Sequence, residues 1–185
     1  MMPIPGITKK AIADAMKKLM AERPLAKINV GDIVELCGLN RNSFYYHFKD
    51  KYDLVNWIFY TEIVEELNRE QVATEFGWVL LDKLCHFFYI NKDFYINALS
   101  ITGQNSFEEY YLELLKKLIM TRIADLFEDD GNQEFYINFF LDTLSSSTLR
   151  WLRDGAKIPP NEFSTLIKKA ATGAAMRILS EPTLK

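Results

Sequence analysis

The sequence is poor in the residues from which most catalytic and metal-binding sites are built. Its 185 residues include two histidines and two cysteines, and Cys37 and Cys85 stand alone, without a Cys-x-x-Cys pair. Cys85 adjoins His86, but neighbouring residues of a helix point about a hundred degrees apart, and no further ligand follows at zinc spacing. The sequence also has no phosphate-binding loop and no nucleophile–base spacing. We therefore predict no metal, no cofactor and no enzymatic activity.

Long apolar segments and strand patterns are missing as well. The first ten residues, MMPIPGITKK, lack the apolar core of an export signal, and no apolar run approaches the roughly 20 residues that span a bilayer. We expect a cytoplasmic protein with reduced thiols and no membrane partner. Alternation of apolar and polar residues does not persist over a useful length, and there is no internal repeat. An all-α protein is therefore expected.

Helical spacing and breaking residues divide most of the chain into helices. Glycine and proline interrupt the apolar periodicity at Gly103, Gly131, Gly155 and the pair Pro159-Pro160. Between the breaks, the spacing predicts helices over residues 51–73, 76–90, 92–102, 106–127, 133–153 and 161–179. The first of these is long enough to connect an N-terminal domain, residues 1–52, to a C-terminal domain, residues 53–185.

Charge is distributed unevenly between these two domains. The whole chain has a formal net charge of −3, which by itself argues against a nucleic-acid partner. Residues 1–52, however, contain nine Lys and Arg against five Asp and Glu, which leaves −7 for the remainder. A basic domain joined to an acidic one is typical of a DNA-binding head on a body that does not bind DNA.

Residues 28–54, INVGDIVELCGLNRNSFYYHFKDKYDL, have the layout of a helix-turn-helix. Asn29 is suited to cap a helix that begins at Val30. Glu35 lies too far along to complete a capping box with it, so we expect an ordinary cap. Gly38 ends this helix, since glycine readily adopts a left-handed backbone.

Asn40 is suited to cap the second helix, over residues 41–48. Phe44 and Phe48, four residues apart, are expected to pack inward. We predict that DNA contacts come from the outward side of this helix and from flanking positions: Asn29, Arg41, Asn42, Ser43, Tyr45, Tyr46, His47 and Lys51. Arginine and asparagine read guanine and adenine edges in the major groove, and hydroxyls and cations bind phosphate. For the tyrosines the alternative is an aromatic core, and for His47 it is a partly buried packing role.

The chain resembles the TetR/AcrR family of bacterial transcriptional regulators over residues 8–61, and above all at YYHFKDKYDL. The run CGLNRNSFYYHFKDKYDLVNWIF is similar to the branch of that family, found in Firmicutes, that includes the dihydroxyacetone kinase regulator. The resemblance implies an all-helical homodimer. Each chain would have a three-helix helix-turn-helix domain and a C-terminal helical domain for ligand binding and dimerisation. It also implies phosphate contacts from Tyr45, Tyr46, His47 and Lys51, and base contacts near Arg41 and Asn42.

Aromatic residues are concentrated in the C-terminal domain, which holds eleven of the thirteen phenylalanines and all three tryptophans. The simpler interpretation is a large aromatic core. The alternative is an apolar small-molecule pocket with a few polar anchors. The candidate lining residues are Phe87, Phe88, Tyr89, Tyr95, Tyr110, Tyr111 and Phe139.

Small residues in the last two helices suggest a dimer interface, because they permit close approach of another helix. The candidate contacts are Ser146, Ser147, Trp151, Ala171, Ala174 and Ala175, and the alternative for each is packing within the chain. Two heads about 34 Å apart would bind a palindromic operator in double-stranded DNA.

Three functional hypotheses remain. The first is a transcriptional regulator whose small-molecule effector changes the angle of the helix that joins the two domains. The second is a DNA-binding co-regulator whose C-terminal domain binds a protein. The third, an enzyme, has no supporting motif.

Overall fold

The computed structural model describes residues 5–64, 77–103, 106–123 and 131–180. Within those ranges the protein contains nine α-helices, one short 3-10 helix and no strand. The helices are α1 (Pro5–Glu22), α2 (Val30–Leu36), α3 (Arg41–His47), α4 (Lys51–Phe59), α5 (Gly77–Ile90), α6 (Lys92–Ala98), α7 (Phe107–Ile123), α8 (Gln133–Arg153) and α9 (Pro160–Ser180). In the part of the chain covered by these ranges, no helix has the combination of length and apolar character that crossing a membrane requires.

The all-α prediction is confirmed, and most helix limits agree with the sequence. The helix expected over 133–153 has those limits, and the last helix begins at Pro160, where proline is favoured in a first turn. The helix expected over 92–102 ends earlier, at Ala98. The helix expected over 51–73 is regular to Phe59 and continues as a π-helical turn, Tyr60–Val64. Residues 65–73 lie outside the described ranges.

Side-chain caps begin α2, α3 and α4. Asn29 accepts a hydrogen bond from the backbone N–H of Asp32 at 3.1 Å, and Asp32 accepts one from the N–H of Asn29 at 2.9 Å. This is a reciprocal capping box, so the expectation of an ordinary cap was wrong. Glu35 lies too far along the helix, but Asp32, a shorter acid at the third helical position, completes the box.

Helix α4 packs against both the N-terminal half, α1 to α3, and the C-terminal half, α5 to α9. Two residues before its end, the ring of Trp57 lies 5.6 Å from the ring of Phe48, just after α3. At its end, Phe59 packs against rings of the C-terminal half. One continuous set of buried apolar residues runs from α1 to α9. The division at residue 52 therefore stays a prediction, because the two halves share one core.

Phe59 lies at the centre of an aromatic cluster. Its ring centroid is 5.2 to 5.9 Å from the rings of five residues: Phe87, Phe88, Tyr95, Phe107 and Tyr111. Four of the contacts are edge-to-face and the fifth, to Phe88, is stacked, which are the geometries that aromatic quadrupoles favour. This cluster fixes the end of α4 to α5, α6 and α7.

We expect Phe59→Ala to lower the free energy of unfolding by about 3–5 kcal/mol, because it leaves a cavity among five rings. Phe139→Ala is the matched control, since Phe139 is 66% exposed; it should change stability by no more than about 0.5 kcal/mol. Urea denaturation followed by circular dichroism measures both. Equal losses would contradict the central position of Phe59.

Candidate nucleic-acid interface

Two phenylalanines fix the orientation of α3. Phe44 is fully buried and Phe48 is 2% exposed, and their ring centroids are 5.7 Å apart. The Asn40 side chain caps the helix by accepting from the N–H of Ser43 at 2.9 Å, and the hydroxyl of Ser43 donates to the same oxygen at 3.2 Å. With one face of a two-turn helix held in the core, the opposite face must point to solvent.

That opposite face carries the predicted DNA contacts. Tyr45 is 56% exposed and Tyr46 is 82% exposed, and Arg41 and Asn42 are exposed beside them. Rings as exposed as these are not part of a core, so the aromatic-core alternative does not describe these two tyrosines. Tyrosine combines an apolar ring with a hydroxyl tip, which is why it is enriched at binding surfaces.

Arg41 reaches from α3 toward the first turn of α2. A Cβ atom added to Gly31 would lie 3.1 Å from Nη2 of Arg41 and 2.8 Å from Oδ1 of Asn29. Gly31 therefore leaves the space in which the guanidinium and the cap of α2 lie side by side. Sequence reasoning missed this residue, since a glycine inside a helix is ordinarily only a weak point.

His47 and Lys9 form the flank of α3. The imidazole of His47 lies edge-to-face on Tyr46, with centroids 4.9 Å apart. The ammonium of Lys9 lies 5.6 Å from the ring centre of Phe48 and 5.4 Å from that of Trp57. Burial, and then the positive charge of Lys9, lower the pKa of His47 below its ordinary value. His47 is therefore mainly neutral at pH 7 and offers an N–H donor without a charge.

Lys51 contacts the protein's own backbone. Its ammonium donates to the carbonyl of Leu25 at 2.8 Å, of Ala26 at 3.3 Å and of Ile28 at 2.7 Å. An ammonium has three protons, so each one has an acceptor within the chain. A phosphate contact from Lys51 stays a prediction, and these bonds favour a role in holding the linker between α1 and α2.

Asn29 is likewise engaged within the protein, through the capping box with Asp32. Asp32 also pairs with Arg23, whose guanidinium nitrogen lies 3.2 Å from the carboxylate. Because Asn29 is exposed, it can still contact DNA, but its side-chain oxygen already accepts a bond. Its predicted contact therefore depends on the amide nitrogen.

The seven candidate pocket residues lie in different surroundings, so a pocket lined by them stays a prediction. Phe87, Phe88, Tyr95 and Tyr111 surround Phe59 in the aromatic cluster. The other three lie elsewhere: Tyr110 is half-buried, Tyr89 stacks on Trp151 at 6.4 Å, and Phe139 is exposed beside Phe135. Burial raises the pKa of Tyr95 well above its usual range, and its hydroxyl has no hydrogen-bond partner among the described residues.

The concave sites in the described part of the C-terminal half include a small cavity and an open groove. A cavity of about 20 Å³ between α5, α7 and α8 is lined by Leu80, Leu81, Leu84, Tyr111, Leu115, Leu141, Leu144 and Thr148. An open groove of about 400 Å³ at the junction of α8 and α9 is lined by Ser147, Arg150, Trp151, Asp154, Lys157, Ile158 and Phe163. The cavity is apolar, with hydroxyls from one tyrosine and one threonine.

The candidate dimer contacts differ in their surroundings. Ser146 is exposed, while Ser147 and Ala171 are half-buried. Trp151 is 5% exposed; it stacks on Phe163 at 4.5 Å and donates from Nε1 to the carbonyl of Ile158 at 3.0 Å. Trp151 thus packs within the chain. The side chains of Ala174 and Ala175 lie outside the described residues.

Asn97 connects the two halves, and sequence reasoning missed it. Its side chain, on α6, accepts from the N–H of Leu25 at 2.7 Å and donates to the carbonyls of Met20 at 2.9 Å and Arg23 at 3.0 Å. Those groups lie 72 to 77 positions away in sequence. Nothing in the local pattern around Asn97 distinguishes it from a surface asparagine.

Two family models match the chain. The model described as bacterial regulatory proteins, tetR family, matches residues 12–58, which contain α2 and α3. The model described as transcriptional regulator C-terminal region matches residues 79–173.

Individual relatives agree with the family models. The HTH-type dhaKLM operon transcriptional activator DhaS of Lactococcus lactis subsp. lactis (strain IL1403) is 32% identical over 120 residues, which span 61% of this chain and 61% of that protein. A solved structure of dihydroxyacetone kinase operon activator DhaS superposes with a TM-score of 0.67, at 24% identity over 93% of this chain and 96% of the other. The fatty acid degradation regulator FadR from Bacillus halodurans superposes with a TM-score of 0.59, at 17% identity over 87% and 91%. Both superpositions bear on the fold alone.

Proposed function

This chain belongs to the TetR family of bacterial regulatory proteins, and from that premise we propose that it is a sequence-specific DNA-binding regulator of transcription, without catalytic activity, in the cytoplasm. One observation carries the proposal. Phe44 and Phe48 are buried behind α3, while Tyr46, on the other side, is 82% exposed next to Arg41 and Asn42. A surface with a guanidinium, an amide and two phenol hydroxyls matches the acceptors and donors of a major groove.

The residues of this surface divide into two roles. Arg41 and Asn42, at the beginning of α3, read base edges, as recognition helices do with their N-terminal residues. Tyr45, Tyr46 and His47 donate to phosphate oxygens and fix the position of the helix on the duplex. Ser43 has a smaller part, because its hydroxyl already bonds to Asn40.

We expect Arg41→Ala or Asn42→Ala to relax sequence preference by about 1–3 kcal/mol at one base pair, because each removes a base contact. Tyr46→Ala should instead weaken binding to all duplexes alike. Fluorescence anisotropy on the preferred site and on single-base variants measures both effects. Losses that are independent of sequence in all three variants would contradict the base-reading roles.

A phosphate contact from His47 makes DNA affinity depend on pH, because it changes the pKa of the imidazole on binding. A nearby phosphate favours the protonated imidazole, so the pKa of His47 in the complex lies above that in the free protein. Binding then takes up a proton, and affinity rises as pH falls through the window between the two pKa values. The increase is at most about tenfold per pH unit, the limit for one proton.

We therefore expect DNA affinity to increase as the pH is lowered from about 7.5 to about 5.5, across the ordinary range of imidazole. His47→Gln should remove most of this increase. His86→Gln is the control, because His86 lies on α5 with Nδ1 3.0 Å from the carbonyl of Asp82, and it should keep the increase. A pH dependence that follows His86 would contradict a phosphate contact from His47.

Two copies of the chain bind together on a palindromic operator in this proposal. Helix α3 has seven residues, so one copy reaches few base pairs and two copies one helical turn apart supply the necessary contacts. The exposed Ser146 on α8 supports close approach of a second copy along this helix.

A small-molecule effector acts on the C-terminal half and shifts the position of α4. The open groove of about 400 Å³ at the junction of α8 and α9 supports this, because its volume lies in the range of small-molecule sites and it combines Trp151 and Phe163 with the charged Arg150 and Asp154. The cavity between α5, α7 and α8, at about 20 Å³, has room for about one water molecule. The effector must bind the two arrangements with different affinity to change DNA binding.

Selection of operator sequences from random duplexes, repeated with candidate metabolites, tests the proposal as a whole. Two half-sites with a spacing of about 10 base pairs are expected from paired heads. Failure to enrich any sequence would refute the DNA-binding proposal. Enrichment that no metabolite alters would favour a protein partner for the C-terminal half.

A further inference from the structure

Both N–H donors of the Asn97 side chain form hydrogen bonds with the N-terminal half. A side-chain amide has two N–H donors and one oxygen acceptor. Both donors go to carbonyls of the end of α1, Met20 and Arg23, and the oxygen accepts from Leu25. With donor–acceptor distances of 2.7 to 3.0 Å, all three are good hydrogen bonds.

The backbone groups that Asn97 binds are ones that α1 cannot satisfy. The last carbonyls of a helix have no partner within it, and α1 ends at Glu22 with no basic residue in its last turn. Residue 97 of the C-terminal half therefore caps a helix of the N-terminal half. Asn97 thus satisfies two carbonyls and one N–H of the N-terminal half in part-buried positions, where a hydrogen bond left unmade costs free energy.

Lys51 holds the same linker from its other side. Leu25 donates its N–H to Asn97 and accepts from the ammonium of Lys51 through its carbonyl. Lys51 also binds the carbonyl of Ile28, and the next residue, Asn29, is the cap of α2. The linker is thus hydrogen-bonded both to α6 and to the first residue of α4, directly before the helix-turn-helix.

An ion pair is another polar connection between the halves. Lys17 on α1 pairs with Glu62 in the π-helical turn, and both side chains are 33% exposed. Ion pairs that water reaches contribute little and tolerate movement. The Asn97 bonds are directional, and three of them act from one side chain, so they define a position.

We propose that Asn97 is a positioning residue for DNA recognition: it couples α6 to the linker before α2 and so sets where α3 is presented. This inference rests on the proposed DNA-binding function. Asn97 itself touches no DNA, and its effect passes through Leu25 and the cap of α2. A displacement of α6 would be transmitted to the reading helix by this route.

The experiment compares three variants of the full chain. Asn97→Ala removes all three bonds. Asn97→Asp has nearly the same shape and keeps the acceptor for Leu25, but it cannot donate to Met20 or Arg23. The matched control is Asn91→Ala, because the Asn91 amide also donates to a backbone carbonyl, that of Phe87 at 2.9 Å, but within the C-terminal half.

We expect both Asn97 variants to lose about tenfold in affinity for the selected operator, equivalent to about 1.4 kcal/mol, with unchanged preference among base variants. Amide hydrogen exchange at Leu25 should accelerate about tenfold in Asn97→Ala, as expected for loss of one well-formed bond. Asn91→Ala should change neither the operator affinity nor the exchange rate at Leu25. If Asn97→Ala does not fold, the isosteric Asn97→Asp supplies the same comparison.

The outcomes separate the inference from the function on which it rests. If the unaltered chain binds the operator and both Asn97 variants bind equally well, the positioning role is wrong and the DNA-binding proposal stands. If Asn91→Ala weakens binding as much, the effect is general destabilisation and the positioning role is again wrong. If the unaltered chain enriches and binds no duplex, the proposed function fails and the inference fails with it.

Discussion

Helix α4 packs on both halves of the molecule at once, and this shared packing underlies the rest of the structure. Trp57 packs on Phe48 behind the recognition helix, and Phe59, two residues later, fills the aromatic cluster of the C-terminal half. Neither half can change its packing on α4 without affecting the other, because close-packed interiors transmit strain. The orientation of α3 is therefore linked to the C-terminal half through buried rings.

Hydrogen bonds add a second connection beside this packing. Asn97 and Lys51 satisfy backbone groups of the linker before α2, from opposite sides. The packing on α4 resists separation of the halves, while directional bonds to the linker define an orientation. A regulator whose DNA binding responds to its C-terminal half needs both features. Coupling between two binding sites requires a structural element whose arrangement is shifted by binding at either site.

Local features of the sequence predicted the helix-turn-helix well. Asn29 and Asn40 cap their helices, Gly38 has a φ of +68° at the end of α2, and Phe44 is buried. These roles depend on residues three or four positions apart, so the signal is short. The capping box was misjudged because a shorter acid than expected completes it. The placement of Lys51 against three carbonyls was missed, because those carbonyls lie 23 to 26 residues earlier in the chain.

The sequence by itself determined which segments are helical and which face of α3 is available, since caps, breaks and apolar spacing act within one or two turns. Only the tertiary structure decided which aromatic residues form the cluster at Phe59, where Trp151 packs, and that Asn97 caps α1. Burial and hydrogen bonding between residues far apart in sequence depend on the three-dimensional arrangement of the helices. The same asparagine can cap a distant helix or face solvent, and its neighbours in the chain do not distinguish the two.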